Sequence, residues 1–258
     1  MMILNGLRLL CRRFVLGDHD SGFKFLVRIA GLLYPGYRLI DPQIDWWKIR
    51  SFTAFLERFG ELKGGALNSD RKWMVGELVR LTAAVPGDTA ECGSYLGASS
   101  WLICHHNRDS AKTHYVFDSF AGLSAPGPHD GSYWEPGRFS CPEEIVAANL
   151  AGFERVVLMK GWIPTRFAEV SGTRFSFVHI DVDLEAPTRE SVTFFYERMS
   201  PGGIILCDDY GFSTCPGATL AMDSFLADKA EKMIRLPGGG GFLVKGVATS
   251  AAAWEPQG

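Results

Sequence analysis

Beyond Pro86 and Gly87 the chain settles into an alternation of short apolar runs and longer segments of helical period. Thr89–Cys92, Thr113–Phe117, Val156–Met159, Phe175–Ile180 and Gly203–Cys207 read as strands. Ser99–His106, Thr188–Met199 and Ala218–Ala230 read as helices between or after them. Near-continuous apolar strands interleaved with helices build βαβ units, with a parallel sheet covered on both faces. Met233–Leu236, the glycine run Gly238–Gly241 and Phe242–Lys245 read instead as a closing hairpin. The predicted fold class is therefore α/β. It is a Rossmann-like, mostly parallel, seven-stranded sheet with one antiparallel strand, helices on both faces and an N-terminal helical extension.

Residues 1–65 form that extension. Trp46 or Trp47, Ile49, Phe52, Phe55, Leu56 and Phe59 fall near helical spacing, and the glycines between Gly60 and Gly65 end the pattern. Asn68, Ser69 and Asp70 then offer a cap to a helix carrying Met74, Val75, Leu78, Val79 and Leu81. The expected organisation is an extension at 1–65, one domain at 66–247 and a flexible tail at 248–258.

Composition narrows the function classes. A hydrophobic content of 47% and a charged content of 21% suit one large globular domain, and a net charge of −3 gives no nucleic-acid footprint. Six cysteines without a Cys-x-x-Cys pair read as free thiols of a reducing compartment, so a cytoplasmic location is expected. No run reaches the ~20 apolar residues of a membrane span. Leu4, Leu7, Leu9 and Leu10, mixed with Arg8, Arg12 and Arg13, form a basic amphipathic segment, read as a solvated helix covering the domain, with contact to a membrane surface as the alternative. The aromatic Trp46–Phe59 segment is a candidate homo-oligomer interface.

Candidate chemistry gathers where strands end. Glu91, Cys92, Gly93, Ser94 and then Gly97 and Ser99 lie where the first strand turns into a helix. Gly93 and Gly97 permit positive φ or close approach of a ligand, and ligands of open α/β sheets bind at the strands' C-terminal ends. Glu91 would repel a pyrophosphate but attract an ammonium group. Asp118, followed by Ser119, ends the next apolar run, about twenty residues past Gly97, where a Rossmann-like fold places a carboxylate on ribose hydroxyls. A nucleoside bearing an amino-acid arm fits these groups, which describes S-adenosylmethionine. Trp162 follows the Val156–Met159 strand and is read as a wall for the adenine, with core filler as its competing role.

A second constellation is acidic. Asp181 and Asp183 end one strand, and Asp208 and Asp209 end the following one. Four carboxylates at adjacent tips repel, so a positive partner is expected among them. Oxygen donors favour a hard cation, Mg²⁺ above Ca²⁺ or Mn²⁺. Asp181 and Asp183 are expected to point apart and to divide the work of metal ligand and proton acceptor. His179 reads as a core or near-site histidine. The Gly/Pro-rich stretch Leu123–Phe139, with His129, Tyr133 and Trp134, reads either as a lid over a site or as a loop anchored to the domain.

Four stretches together resemble a known family. Val85–Gly93, Val116–Leu123, His179–Leu184 and Ser200–Gly211 are similar, in order, to the macrocin O-methyltransferase (TylF-type) family. Its members are class I, S-adenosylmethionine- and Mg²⁺-dependent O-methyltransferases of sugars and natural products. The resemblance implies Asp181, Asp208 and Asp209 as metal ligands, Asp183 as catalytic base, and Glu91, Gly93 and Asp118 as cofactor-binding residues. It also implies a small-molecule substrate: a hydroxylated sugar, glycoside or phenol. Two departures stand out. Ser94-Tyr95-Leu96 replaces a Val-Trp-Arg-like stretch, and Leu184-Glu185-Ala186 replaces the Tyr that follows the acidic pair. Alternative readings are an Asp-x-Asp metal-dependent glycosyltransferase at Asp181–Asp183, and a non-catalytic S-adenosylmethionine-binding module.

Overall fold

The computed structural model describes residues 2–33, 46–60 and 68–250. Part of the expected glycine break (61–65) and most of the expected tail (251–258) lie outside the described residues. The chain separates into two compact units, Met1–Leu67 and Asn68–Gly258.

In the first unit, α1 (Met2–Leu16) and α2 (His19–Leu33) form a helical hairpin. It turns at Gly17, whose φ is +67°, and Asp18 closes the turn by accepting bonds from the Ser21 amide at 3.1 Å and its hydroxyl at 2.7 Å. The segment expected as one helix from Trp46 to Phe59 is a short 3₁₀ turn, Trp46–Lys48, followed by α3 (Arg50–Arg58). Phe52, Phe55 and Phe59 are buried in the single chain and stack on one another.

The second unit opens with α4 (Ser69–Leu81), capped where Asn68 Oδ1 accepts the Arg71 amide at 3.0 Å. The alternation then unfolds, with α6 as an element not expected from the sequence: β1 (Asp88–Cys92), α5 (Ala98–Asn107), β2 (His114–Asp118), α6 (Glu143–Leu150), β3 (Val156–Lys160), β4 (Phe175–Ile180), α7 (Glu185–Tyr196), β5 (Met199–Cys207), α8 (Pro216–Leu226), β6 (Ile234–Arg235) and β7 (Gly241–Val244). The sheet order is β3-β2-β1-β4-β5-β7-β6. The first five strands are parallel and β7 runs against both its neighbours. β1 thus lies between β2 and β4, where the chain reverses its direction of travel across the sheet, and the tips of all five parallel strands share one edge.

The two faces of the sheet differ. On one, Ala90, Cys92, Phe117, Val178, Ile180 and Ile205 meet apolar residues of α7 and α8, with edge-to-face contacts from Phe195 to Phe117 and Phe175. On the other, the register sets Glu91 beside His179, and a buried polar seam crosses the strands. His179 Nδ1 donates to Glu91 Oε1 at 2.7 Å, and the Ser100 hydroxyl of α5 donates to Glu91 Oε2. His114 bonds to that hydroxyl through Nε2 at 3.2 Å and to Thr89 through Nδ1 at 3.0 Å. Each residue of the seam makes at least one of these bonds, the condition on which a polar seam is tolerated inside a fold, while His179 Nε2 is left without a partner.

Burial lowers the His114 pKa from 6.5 to about 4, against the attraction of Glu91. The imidazole is thus neutral when folded, while an unfolded chain protonates it near 6.5. The stability this contributes is fully present above pH 6.5 and is lost as pH falls toward 4. Urea unfolding of the wild type should show that decline. His114→Gln should flatten it, and an equal decline in both proteins assigns the pH dependence to other groups.

Candidate active site

The crevice is built at the C-terminal edge of the sheet. The turn after β1 hugs the tips of its neighbours: the Gly93 amide donates to the Phe117 carbonyl at 2.9 Å. Gly93 has φ +83°, and a Cβ there would fall 1.9 Å from the Asp181 carbonyl oxygen, so only glycine lets β1 and β4 close together. Gly97, at φ +80°, starts α5 with its amide bonded to the Ser94 carbonyl at 2.7 Å.

Asp118 at the tip of β2 fastens this turn. Its Oδ2 accepts from the Ser94 amide at 2.6 Å, the Ser94 hydroxyl at 2.9 Å and the Tyr95 amide at 3.3 Å, while Oδ1 accepts from the Phe120 amide at 2.7 Å. Ser119 is engaged in its own turn, donating to the Gly122 carbonyl and accepting from the Ala121 amide. Ser99, in the first turn of α5, is buried. Trp162, beyond the end of β3, is 46% exposed and is not core filler. Glu91 differs from the sequence expectation in posture. It is 1% exposed, and both oxygens are taken by His179 and Ser100, so it shapes the site from behind the turn.

The four acids fall into two groups. His179, Asp181 and Asp208 bring one donor atom each within 4.8 Å of one another, and Asp183, Asp209 and Cys215 do likewise. The set Asp181, Asp208 and Asp209 is thereby divided. Asp181 and Asp183 fall in different groups, and the backbone between them is not a continuing strand. Residues two apart on a strand share a face, yet β4 stops at Ile180 and Asp183 adopts φ +59°. Asp209 braces that conformation, its Oδ2 accepting the amides of Val182 at 3.2 Å and Asp183 at 2.7 Å. Burial first, then the charges of Asp209 and Asp181, push the Asp183 carboxyl up to about 9. Burial and Asp181 push Asp209 up to about 6. The Cys215 thiol lies 3.7 Å from Asp183 Oδ1 and 3.9 Å from Asp209 Oδ1.

Two residues that the sequence reading passed over enter from α4. Arg71 Nη2 forms an ion pair with Asp208 Oδ2 and donates to the Asp208 carbonyl at 2.9 Å. Lys72, 5% exposed, donates to Ser99 Oγ at 2.6 Å and lies 4.0 Å from Asp181 Oδ2. Burial lowers the Lys72 pKa, with Asp181 opposing. Their signal in the sequence was weak: cations in the first turn of a helix oppose its macrodipole by only about 0.3–1 kcal/mol.

The long loop after β2 is anchored. Asp130, 2% exposed, accepts the Glu185 amide at 2.6 Å and the Gly127 amide at 2.7 Å, and His129 Nδ1 pairs with Glu185 at 2.8 Å. Arg138 lies over the rings of Tyr133, Trp134 and Phe139.

The chain is similar to known O-methyltransferases in sequence and in fold. The chain is 28% identical over 207 residues to an 8-demethyl-8-(2,3-dimethoxy-α-L-rhamnosyl)-tetracenomycin-C 4'-O-methyltransferase of Streptomyces olivaceus, covering 74% of this chain and 75% of that one. It is 28% identical over 153 residues to a mycinamicin III 3''-O-methyltransferase of Micromonospora griseorubida, covering 52% and 59%. Among solved structures, the calicheamicin methyltransferase CalS11 superposes with a TM-score of 0.63 at 20% identity, covering 76% of this chain and 93% of that one. The O-methyltransferase NovP superposes with 0.58 at 24% identity, covering 70% and 81%. The sequence profile described as macrocin-O-methyltransferase (TylF) matches residues 75–236, most of the second unit and the greater part of the chain, and the chain belongs to that family of O-methyltransferases.

Proposed function

We propose that the enzyme transfers the methyl group of S-adenosylmethionine to a hydroxyl of a sugar, glycoside or related natural product, with Mg²⁺ at the acidic tips of β4 and β5. One observation carries the reading: a glycine turn closed by Asp118 adjoins four carboxylates on neighbouring strands. The acceptor class rests on the relatives, of which one is named for a rhamnosyl substrate. Support for the donor comes from the family and from a superposable O-methyltransferase, TomG, solved in complex with it. Membership of this family also weighs against the Asp-x-Asp glycosyltransferase reading. A cytoplasmic setting suits the free thiols.

For the donor, Gly93, Ser94, Gly97 and Ser99 would line the turn. Asp118 and Ser119 would face the ribose, and Trp162 would lie along the base. Glu91 would contribute by holding His179 and Ser100 in place.

The donor chemistry at the acids fits a hard divalent cation. The oxygens are carboxylate, and His179 Nε2 is buried without a partner, 3.6 Å from Asp208 Oδ1. With Nδ1 donating to Glu91, Nε2 of a neutral ring turns a lone pair toward that carboxylate, an arrangement a cation would relieve. Asp181 and Asp208, with Asp209 from the adjoining group, would hold the ion, which when bound supplies Lewis-acid polarisation of the acceptor hydroxyl. Asp183 is the proposed base. Its carboxylate receives the hydroxyl proton, and its fixed position beside Asp209 orients that transfer. Burial keeps Asp183 protonated at neutral pH in the absence of a nearby positive charge, so the ionised base and a cation at its neighbours go together.

Two measurements test this. In a methyl-transfer assay with a panel of hydroxylated glycosides, EDTA should abolish turnover and Mg²⁺ should restore it, and Asp208→Ala should match the chelated enzyme. Full activity in chelator removes the metal from the mechanism. Asp183→Asn should lower kcat by roughly 10²–10⁴ while S-adenosylhomocysteine still binds in calorimetry. Undiminished turnover would falsify the base assignment.

A further inference from the structure

The acids at the tips of β4 and β5 are not left to repel one another, because α4 brings two cations to them. Arg71 is bound to Asp208 at both its carboxylate and its carbonyl oxygen, and its guanidinium rests over the Phe212 ring at 4.8 Å. The side chains are 17% and 8% exposed, well out of the solvent that weakens surface pairs. Lys72 reaches the other member of the same group, Asp181, and is tied at Ser99 to the first turn of α5. Both cations stand in the first turn of α4, where the helix dipole opposes them. They are therefore held there by the acids they meet.

We infer that Arg71 and Lys72 are built-in counter-ions of Asp208 and Asp181, and that a divalent cation entering this group competes with Arg71 for the Asp208 carboxylate. The inference rests on the proposed metal site and deepens it. A carboxylate oxygen paired with a guanidinium is a poor ligand until the pair separates, and a second positive charge in the same pocket opposes the incoming ion. The two residues act as positioning residues: they hold the acids in the metal-free protein and set the affinity for the ion. A purely structural staple between α4 and β5 would have a different signature, since its loss would cost stability without changing ion affinity.

The experiment is Mn²⁺ binding to the full chain, followed by electron paramagnetic resonance and calorimetry, with the thermal midpoint of the metal-free protein recorded in parallel. Arg71→Gln should bind Mn²⁺ about tenfold more tightly than the wild type and should melt lower without metal. Arg71→Lys, which keeps the charge, should stay near the wild type in affinity. Lys72→Gln should also tighten binding, and it carries the test if Arg71→Gln fails to fold. Equal or weaker Mn²⁺ affinity in the charge-removing variants overturns the competition while leaving the metal site standing. No Mn²⁺ binding to any of the proteins overturns both.

Discussion

Like charge crowded at the tips of β4 and β5 is the constraint to which the neighbouring structure answers. A buried carboxylate is tolerated only with a countercharge, a set of donors or a proton. All three answers occur here, each on a different acid. Asp208 and Asp181 are met by Arg71 and Lys72. Asp209 accepts two backbone amides. Asp183, left against Asp209 and the Cys215 thiol, keeps its proton well above the usual carboxylate range. Each answer also fixes a piece of backbone. The first turn of α4 is pinned to β5, and the connection from β4 to α7 is pinned in a left-handed conformation that an aspartate rarely adopts.

Strand order makes this arrangement possible. With β1 between β2 and β4, Glu91 falls beside His179, and the histidine in turn faces Asp208. The buried Glu91–His179 pair thus connects the glycine turn, where the donor is proposed to sit, with the acids on β4 and β5. The Lys72–Ser99 bond makes a second connection between the same two regions through α4 and α5. The proposed donor side and the acid side are thus linked twice through buried contacts, which suits a reaction in which alignment of the attacking oxygen with the methyl group supplies much of the acceleration.

The regular part of this was legible in the chain. Apolar runs ending in acid marked β4 and β5, and the Gly238–Gly241 break between two short apolar runs marked the antiparallel β6–β7 pair. What the sequence withheld was pairing at a distance. The posture of Glu91 depends on its register with a residue 88 positions later. The role of Arg71 depends on an acid 137 positions later. The separation of Asp181 and Asp183 into different groups depends on where β4 ends, and a run of apolar residues marks a strand without marking its last hydrogen bond. The helix α6 was missed because its eight residues, inside a stretch rich in Gly and Pro, carry too few turns for a period to stand out.

The departure from the family pattern at Leu184-Glu185-Ala186 has a structural consequence that bears on the acceptor. Glu185 opens α7, and its amide is capped by Asp130 from the loop after β2. Its carboxylate takes His129 of the same loop on one oxygen and Arg189 of α7 on the other. The fit is close on the far side too: a Cβ at Gly217 of α8 would lie 2.0 Å from Asp130 Oδ1. The loop bearing Trp134, whose indole approaches Cys215, is thus fastened two residues beyond the proposed base. A tyrosine at this position would present a ring, whereas Glu185 presents a charge that binds the loop. The loop after β2 is therefore held by the same turn that sets Asp183, and under the proposed function a change of acceptor would work through the fastening of this loop before it touches the acids.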